Sequence, residues 1–226
     1  MIKRLVCLAN SRKLHGRCIA GRELLARNLG EWIRPVSDRE GEEVSDSERK
    51  YEDGGAPRVL DIIDVPLIGP KVKSHQSENW LLDPSKYWRK VGEFGHRNLS
   101  FLADAPGPLW INGHQTNNGQ NDCVPVEEAD KTDGSLKLIA VASGLQLCVC
   151  RTGENFGNPR RRAQAEFSFG GMNYRLWVTD PLIETEYLAR VDGVYALGSS
   201  YLTISLGEPW DGRCYKLVAA IIGALP

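Results

Sequence analysis

The stretch from Ala163 to Val178 admits one local structure. Ala163 to Phe169 alternates apolar and polar residues, Gly170-Gly171 follows, and Tyr174-Arg175-Leu176-Trp177-Val178 resumes the pattern. Two strand patterns joined across Gly-Gly predict a β-hairpin, because the tight turn needs left-handed backbone that glycine adopts at no steric cost. The same design of short runs cut by turn residues recurs along the chain, which holds 23 Gly and 12 Pro. Arg4 to Ala9 is apolar and bounded by Asn10-Ser11. Arg17 to Gly21 follows a turn at His15-Gly16. Trp32 to Val36 carries a proline that makes it an edge or a stopping strand. Val59 to Ile68 is too β-branched for a stable helix. Leu136 to Ala142 and Gln146 to Arg151 turn at Ser143-Gly144, and Tyr201 to Leu206 and Cys214 to Ile222 end the pattern.

Helices are short and few. Glu23 to Leu29 has helical propensity and is ended by Gly30. Lys86 to Val91 and Asn98 to Ala103 are further short candidates. A helix over 182–189 has Asp180 as N-cap and Pro181 at its first position. Asp38 to Gly55 reads as a long acidic loop, and Gly113 to Asp122 as an exposed polar connection with a boundary near 130. Each half then holds about five strands and one short helix, the inventory of an OB barrel. The expected fold is mostly β: two OB-like Greek-key barrels in tandem with short helices. The first, 1–130, carries the acidic loop and an irregular extension; the second is 131–226.

The net charge is −1, but its distribution is uneven. Residues 1–39 carry nine Lys/Arg against three Asp/Glu, and residues 40–53 carry seven acids against two bases. A local basic face attracts a polyanion even on a nearly neutral molecule. Asn10-Ser11-Arg12-Lys13 lies after the first strand, and Arg17 and Arg34 follow on the next strands. Asn and Ser bond phosphate oxygens, while Arg and Lys add charge and counterion release. Trp32 shares a strand face with Arg34 and offers a stacking platform for single-stranded bases, unless it is a core residue that Arg34 covers. Arg160-Arg161-Arg162, after the turn-like Gly157-Asn158-Pro159, is a second basic cluster, and three consecutive arginines cannot all be buried.

Other chemistries find less support. Cys148-Val149-Cys150 puts two thiols on one face of a strand, but no second ligand pair with zinc spacing accompanies it. The thiols are expected to be structural, with no metal. None of the four His forms a helical metal pair, and no phosphate loop or nucleophile elbow occurs, so neither a cofactor nor a catalytic residue is expected. No secretory leader opens the chain and no apolar run spans a bilayer, so the expected location is cytoplasmic, with reduced thiols and no membrane partner.

Two sets of segments carry a family resemblance. Lys3-Arg4-Leu5-Val6-Cys7-Leu8-Ala9-Asn10-Ser11-Arg12-Lys13, Gly16-Arg17-Cys18-Ile19-Ala20-Gly21 and Gly30-Glu31-Trp32-Ile33-Arg34-Pro35-Val36-Ser37 resemble the opening of the dual OB-containing domain family of prokaryotes. Tyr174-Arg175-Leu176-Trp177-Val178-Thr179-Asp180-Pro181, Leu202-Thr203-Ile204-Ser205-Leu206-Gly207-Glu208 and Cys214-Tyr215-Lys216-Leu217-Val218-Ala219-Ala220 are similar to its second half. The resemblance runs nearly end to end and is weakest over 70–130. It implies two OB barrels, nucleic-acid binding and a place in prokaryotic conflict systems beside partner effectors. It supplies no catalytic residues. The function expected is therefore a non-catalytic module that binds single-stranded DNA or RNA in a defence system. A protein-interaction adaptor docking a partner effector is the alternative, and a nuclease with a dispersed site is a third reading.

Overall fold

The first apolar run becomes β1 (Ile2–Lys13), a strand hydrogen-bonded along both edges in the computed structural model, which describes residues 1–26, 28–105, 107–153 and 159–223. Its first half pairs antiparallel with β4 (Asp61–Pro70), from Ile2 opposite Pro66 to Val6 opposite Ile62. From Leu5 to Lys13 it also pairs with β2 (Gly16–Leu24), with a bulge between Cys7 and Ala9 that bends the strand. β2 continues to β3 (Leu29–Val36), β3 pairs in parallel with β5 (Asn79–Leu82), and β5 pairs back on β4. The order β1-β2-β3-β5-β4-β1 closes a five-strand barrel, with β6 (Arg89–Glu93) added outside β4. This is the Greek-key ring of an OB fold. Leu5, Cys7, Ile19, Ile33, Ile63, Val65 and Leu67 fill the interior, in the alternation that strands impose.

Gly21 sits where β1 changes partner. A Cβ there would stand 2.1 Å from the backbone oxygen of Val6. Only glycine lets the two strands approach closely enough to keep the ladder.

The second unit contains β7 (Cys123–Pro125), α1 (Val126–Ala129), β8 (Leu136–Val141), β9 (Gln146–Thr152), β10 (Arg160–Phe169), β11 (Met172–Val178), α2 (Pro181–Leu188), β12 (Gly193–Ala196), β13 (Ser200–Trp210) and β14 (Arg213–Gly223). Its sheet runs β12-β9-β10-β11-β14-β13-β8, with β7 also on β14. β8 and β9 do not pair as a hairpin across Ser143-Gly144. They lie near opposite ends of the pairing order, as one first strand interrupted at 142–145. Read so, β9, β10, β11, β14, β13 and β8 repeat the ring order of the first unit, including the parallel third and fifth strands, β11 and β14. Leu147, Val149, Ala165, Phe167, Leu176 and Val218 form its core.

The hairpin over Gly170-Gly171 forms as expected, with positive φ at both glycines and Phe169 opposite Met172. Asp180 caps α2, accepting from the amides of Leu182 at 3.0 Å and Ile183 at 3.4 Å, while its second oxygen accepts from Ile221 on β14. Two helices expected from propensity are absent. β2 runs through Glu23 to Leu24, and a turn closed by Leu25 N–H on the Asn28 oxygen leads straight into β3. Lys86 to Val91 likewise leads into β6. Segments this short cannot offset helix nucleation, and a sheet edge was available to both. A 3-10 helix over His96–Phe101 stands near the third candidate. Strand makes up 52 % of the chain and helix 8 %. Among the described residues no helix is long and apolar enough to cross a membrane.

The compact units are Met1–Leu102 with Asp133–Leu136, and Ala103–Thr132 with Lys137–Pro226. Residues 103–130, expected from the sequence to belong to the first barrel, therefore pack with the second. Gly113 to Asp122 is part of the reason: Gln120 pairs with the edge of β11 at Arg175, and Asn121 donates to the Asn173 oxygen at 3.0 Å. Lys216 of β14 holds the same segment from within. Its buried amine donates to the Ile111 oxygen at 2.8 Å and to Asn112 Oδ1 at 3.0 Å, and it lies over the Tyr174 ring. Burial lowers its pKa to about 8.

Gly21→Ala should cost about 3 kcal/mol or more, at the upper end of overpacking penalties, because the clash is with backbone. Chemical denaturation measures it; a gain in stability of up to about 1 kcal/mol, the result of Gly-to-Ala exchange where the backbone accepts a side chain, or no change, would contradict the close-approach role. Lys216 gives a pH signature. Its folded pKa lies below the ordinary lysine value of 10.5, so between about pH 8 and that value the unfolded chain holds a proton that the folded chain has released. Its contribution to stability should rise with pH across that window. The stability of wild type relative to Lys216→Met, measured on either side of pH 8, should therefore increase with pH.

Candidate nucleic-acid interface

An OB barrel binds its ligand over strands 2 and 3, flanked by the loops between strands 1 and 2 and strands 4 and 5. In the first unit that face belongs to β2 and β3, beside β1, and most of it is closed. Ile33 points into the barrel, so Trp32 and Arg34 point outward, as alternation predicts. Yet Trp32 is only 8 % exposed and Arg34 only 2 %. Arg34 pairs with Glu78 at 3.0 Å and donates to Asn79 Oδ1 at 3.2 Å and Ser135 Oγ at 2.7 Å. Ser135 in turn donates its hydroxyl and its amide to Glu78. The expected contact of Arg34 with a polyanion is corrected: this guanidinium is buried, and Glu78, Asn79 and Ser135 hold its two terminal nitrogens. Trp32 is covered as well, with the Arg22 guanidinium 5.0 Å from its ring.

The preceding loop is mixed. Asn10 donates to the Pro57 oxygen at 2.7 Å, and Ser11 is 5 % exposed and bonded to the Cys18 oxygen. Arg12 is exposed, Lys13 and Arg17 are half-buried, and all three surround the Leu14-His15 turn between β1 and β2. The cations of the first 39 residues are thus divided between a buried ion pair, structural contacts and one basic turn.

The second unit leaves more of its face exposed. Ala163, Ala165 and Phe167 of β10 point into the core, so Arg160, Arg162, Gln164 and Glu166 point outward. Across the strands, Cys150 stands opposite Arg162, Trp177 opposite Gln164, and Arg175 opposite Glu166. The exposed Arg162 guanidinium lies 5.4 Å from the centre of the half-buried Trp177 ring, and Arg175 pairs with Glu166 at 2.8 Å. Gln164 is buried and donates to the Asn118 oxygen at 2.7 Å. Arg161 takes the opposite side of the strand. It donates to the oxygens of Leu188 and Arg190 and pairs with Asp192 at 2.7 Å, so it ties down the C-terminal end of α2 rather than facing a ligand. Of the three arginines, then, two face outward and one is structural. Gly157 and Asn158, read as the turn before them, lie outside the described residues.

The loop between strands 4 and 5 of this unit is the β13–β14 hairpin. Trp210 stands there 75 % exposed, opposite Arg213, across a turn with positive φ at Asp211 and Gly212. Sequence reasoning passed over Trp210, although Asp211-Gly212 between two strand patterns is a hairpin signal that puts the tryptophan at a tip.

The thiols offer little chemistry. Burial raises the pKa of Cys7 to about 12, and burial, then the neighbouring Cys148, raises that of Cys150, so neither is primed as a thiolate at neutral pH. Among the described residues, no three His, Cys, Asp or Glu side chains gather as a metal site.

Comparison with known proteins adds one finding. A family model described as the dual OB-containing domain matches residues 3–221. No curated protein matches the chain, and no solved structure does.

The buried ion pair yields a test that separates structure from binding. Arg34→Ala leaves Glu78 buried without its charge partner and should cost about 3–5 kcal/mol of folding stability by chemical denaturation. The variant protein that remains folded should bind oligonucleotides with the wild-type salt slope. A lowered slope with stability intact would return Arg34 to the ligand face.

Proposed function

Since this chain belongs to the dual OB-containing domain family, we propose that it is a nucleic-acid-binding module that takes a single strand across the second unit's outer face. The carrying observation is the exposed part of the face of β10 and β11, where Arg162 lies over Trp177 with Arg160 and Arg175 alongside. Guanidinium groups neutralise phosphates, and an indole face stacks a base whatever its identity. Trp210 and Arg213 supply the same pair of groups at the flanking hairpin, where OB folds close on their ligands. A single strand suits this face better than a duplex, because stacking needs bases free of their partners. Arg12, Lys13 and Arg17 around the first unit's turn provide a separate basic contact.

A protein-docking role has an observation of its own. An apolar groove in the first unit is lined by Leu24, Leu25, Leu29, Phe94, Phe101 and Leu102, with Leu25 52 % and Phe101 78 % exposed. Exposed apolar patches of this kind mark interaction surfaces. In a conflict system this groove would dock a partner effector while the second unit holds the strand.

Fluorescence anisotropy with labelled single-stranded DNA, single-stranded RNA and duplex, at two salt concentrations, tests the proposal. Arg160→Ala and Arg162→Ala should each lower the salt slope on a single strand by about 0.7, the share of one neutralised phosphate. Trp177→Ala and Trp210→Ala should each cost roughly 1–3 kcal/mol with little change in slope. Wild-type affinity and slope in all four folded variants would rule this face out.

A further inference from the structure

A groove of about 380 Å³ opens on the first unit, away from the β2–β3 face, between residues 51–53 and the start of β6. Its size falls within the roughly 300–1,000 Å³ of small-molecule sites. The two segments are held together by backbone, the Trp88 amide donating to the Lys50 oxygen at 3.1 Å. Tyr51 and Trp88 line it from the barrel core, 7 % and 1 % exposed, so that side of the groove is rigid.

Three groups at the groove have complementary chemistry. Tyr87 is 62 % exposed. Arg89 reaches the buried Asp64 through one guanidinium nitrogen at 2.6 Å, and its side chain remains 71 % exposed. Arg4 takes both Asp64 oxygens at 2.7 and 3.0 Å and, with Arg89, holds that carboxyl below its ordinary pKa. One carboxylate shared by two guanidiniums leaves a net positive charge, and Arg89 keeps N–H donors turned to solvent. Glu52, also in the lining, is exposed and can only accept hydrogen bonds when ionised.

From this arrangement we infer that the groove binds a nucleoside monophosphate, and guanosine monophosphate before the others. The base stacks on Tyr87. The phosphate takes the free N–H groups of Arg89, the charge-assisted contact to which a planar guanidinium is suited. Glu52 and Asp53 repel the phosphate from their side, which sets the ligand's direction and leaves Glu52 for the base edge. Guanine alone among the four bases offers an imino and an amino N–H side by side, so that one carboxylate accepts both. This site shares no residue with the strand-binding face and does not depend on it.

Calorimetric titration of the full chain with the four ribonucleoside monophosphates, guanosine and inorganic phosphate tests this. Guanosine monophosphate should bind saturably and most tightly, with guanosine and phosphate each at least about tenfold weaker, since each lacks one of the two anchoring groups. Tyr87→Ala should weaken it by roughly tenfold or more, the factor that base stacking carries. Glu52→Gln should erase the guanine preference. Arg89→Ala should reduce the nucleotide to the affinity of guanosine. Arg89→Lys, which keeps a cation beside Asp64, guards against a folding defect, and melting curves should show Tyr87→Ala and Glu52→Gln as stable as wild type. Arg162→Ala and Trp177→Ala should bind the nucleotide normally. Absence of saturation by every monophosphate, unchanged binding in Tyr87→Ala, or loss of nucleotide binding in Arg162→Ala would overturn the inference. Equal affinity for all four bases would overturn the guanine assignment.

Discussion

The first unit depends on one strand being paired on both sides. β1 pairs with β4 from Ile2 to Val6 and with β2 from Leu5 to Lys13, and closing a ring of so few strands requires it to bend. The bulge at Cys7 and Ala9 provides the bend, and Gly21 provides the clearance. Closure of the ring follows, and with it a sheet in which β1 and β4 have no open edge over their shared ladder to pair with another chain. The second unit meets the same requirement differently. Its first strand is broken between β8, which lies on β13, and β9, which lies on β10 and takes β12 along its other edge.

Two versions of one ring thus put their ligand faces to different uses. In the first, Val6, Leu8, Ala20, Trp32 and Arg34 on β1 to β3 are buried, and Arg34 is held by Glu78 and Ser135. A buried pair of this kind contributes little net stability against apolar residues of the same size, yet is costly to break from one side. It therefore specifies an arrangement more than it stabilises one. In the second, the corresponding strands keep arginine, tryptophan and ion-paired Arg175 at the surface. A repeated fold thus keeps one such face largely covered and leaves part of the other exposed.

Much of this was legible in the residues. Strand alternation, the Gly170-Gly171 joint and the Asp180-Pro181 helix start are local signals, and the local structure obeys them. The failures were of two kinds. Glu23 to Leu29 has the propensity for a helix, but Leu24 finds Leu29 across a sheet, and pairing that depends on distant strands overrides local preference. Arg34 was placed on the correct side of its strand, since alternation decides sides. What lies over that side comes from residues 78 and 135, far away in sequence, and no periodicity within β3 reports them. Trp210 was a different omission. Its signal, an Asp-Gly turn at a strand junction, stood in the sequence, but clusters of basic residues point elsewhere and this tip has only Arg213.

The first unit is not one continuous piece of chain. It uses residues up to Leu102 and then takes back Asp133–Leu136 after the chain has passed into the second unit. As the polypeptide leaves the ribosome, the barrel strands are all present well before Ser135 emerges. During that interval Arg34 and Glu78 lack the hydroxyl that both of them bond. Completion of the N-terminal unit therefore waits on synthesis of part of its neighbour, and no single cut in the chain separates the two intact. The connectivity fixes the order of synthesis: the ring strands first, the 133–136 segment later, and most strands of the second unit after that.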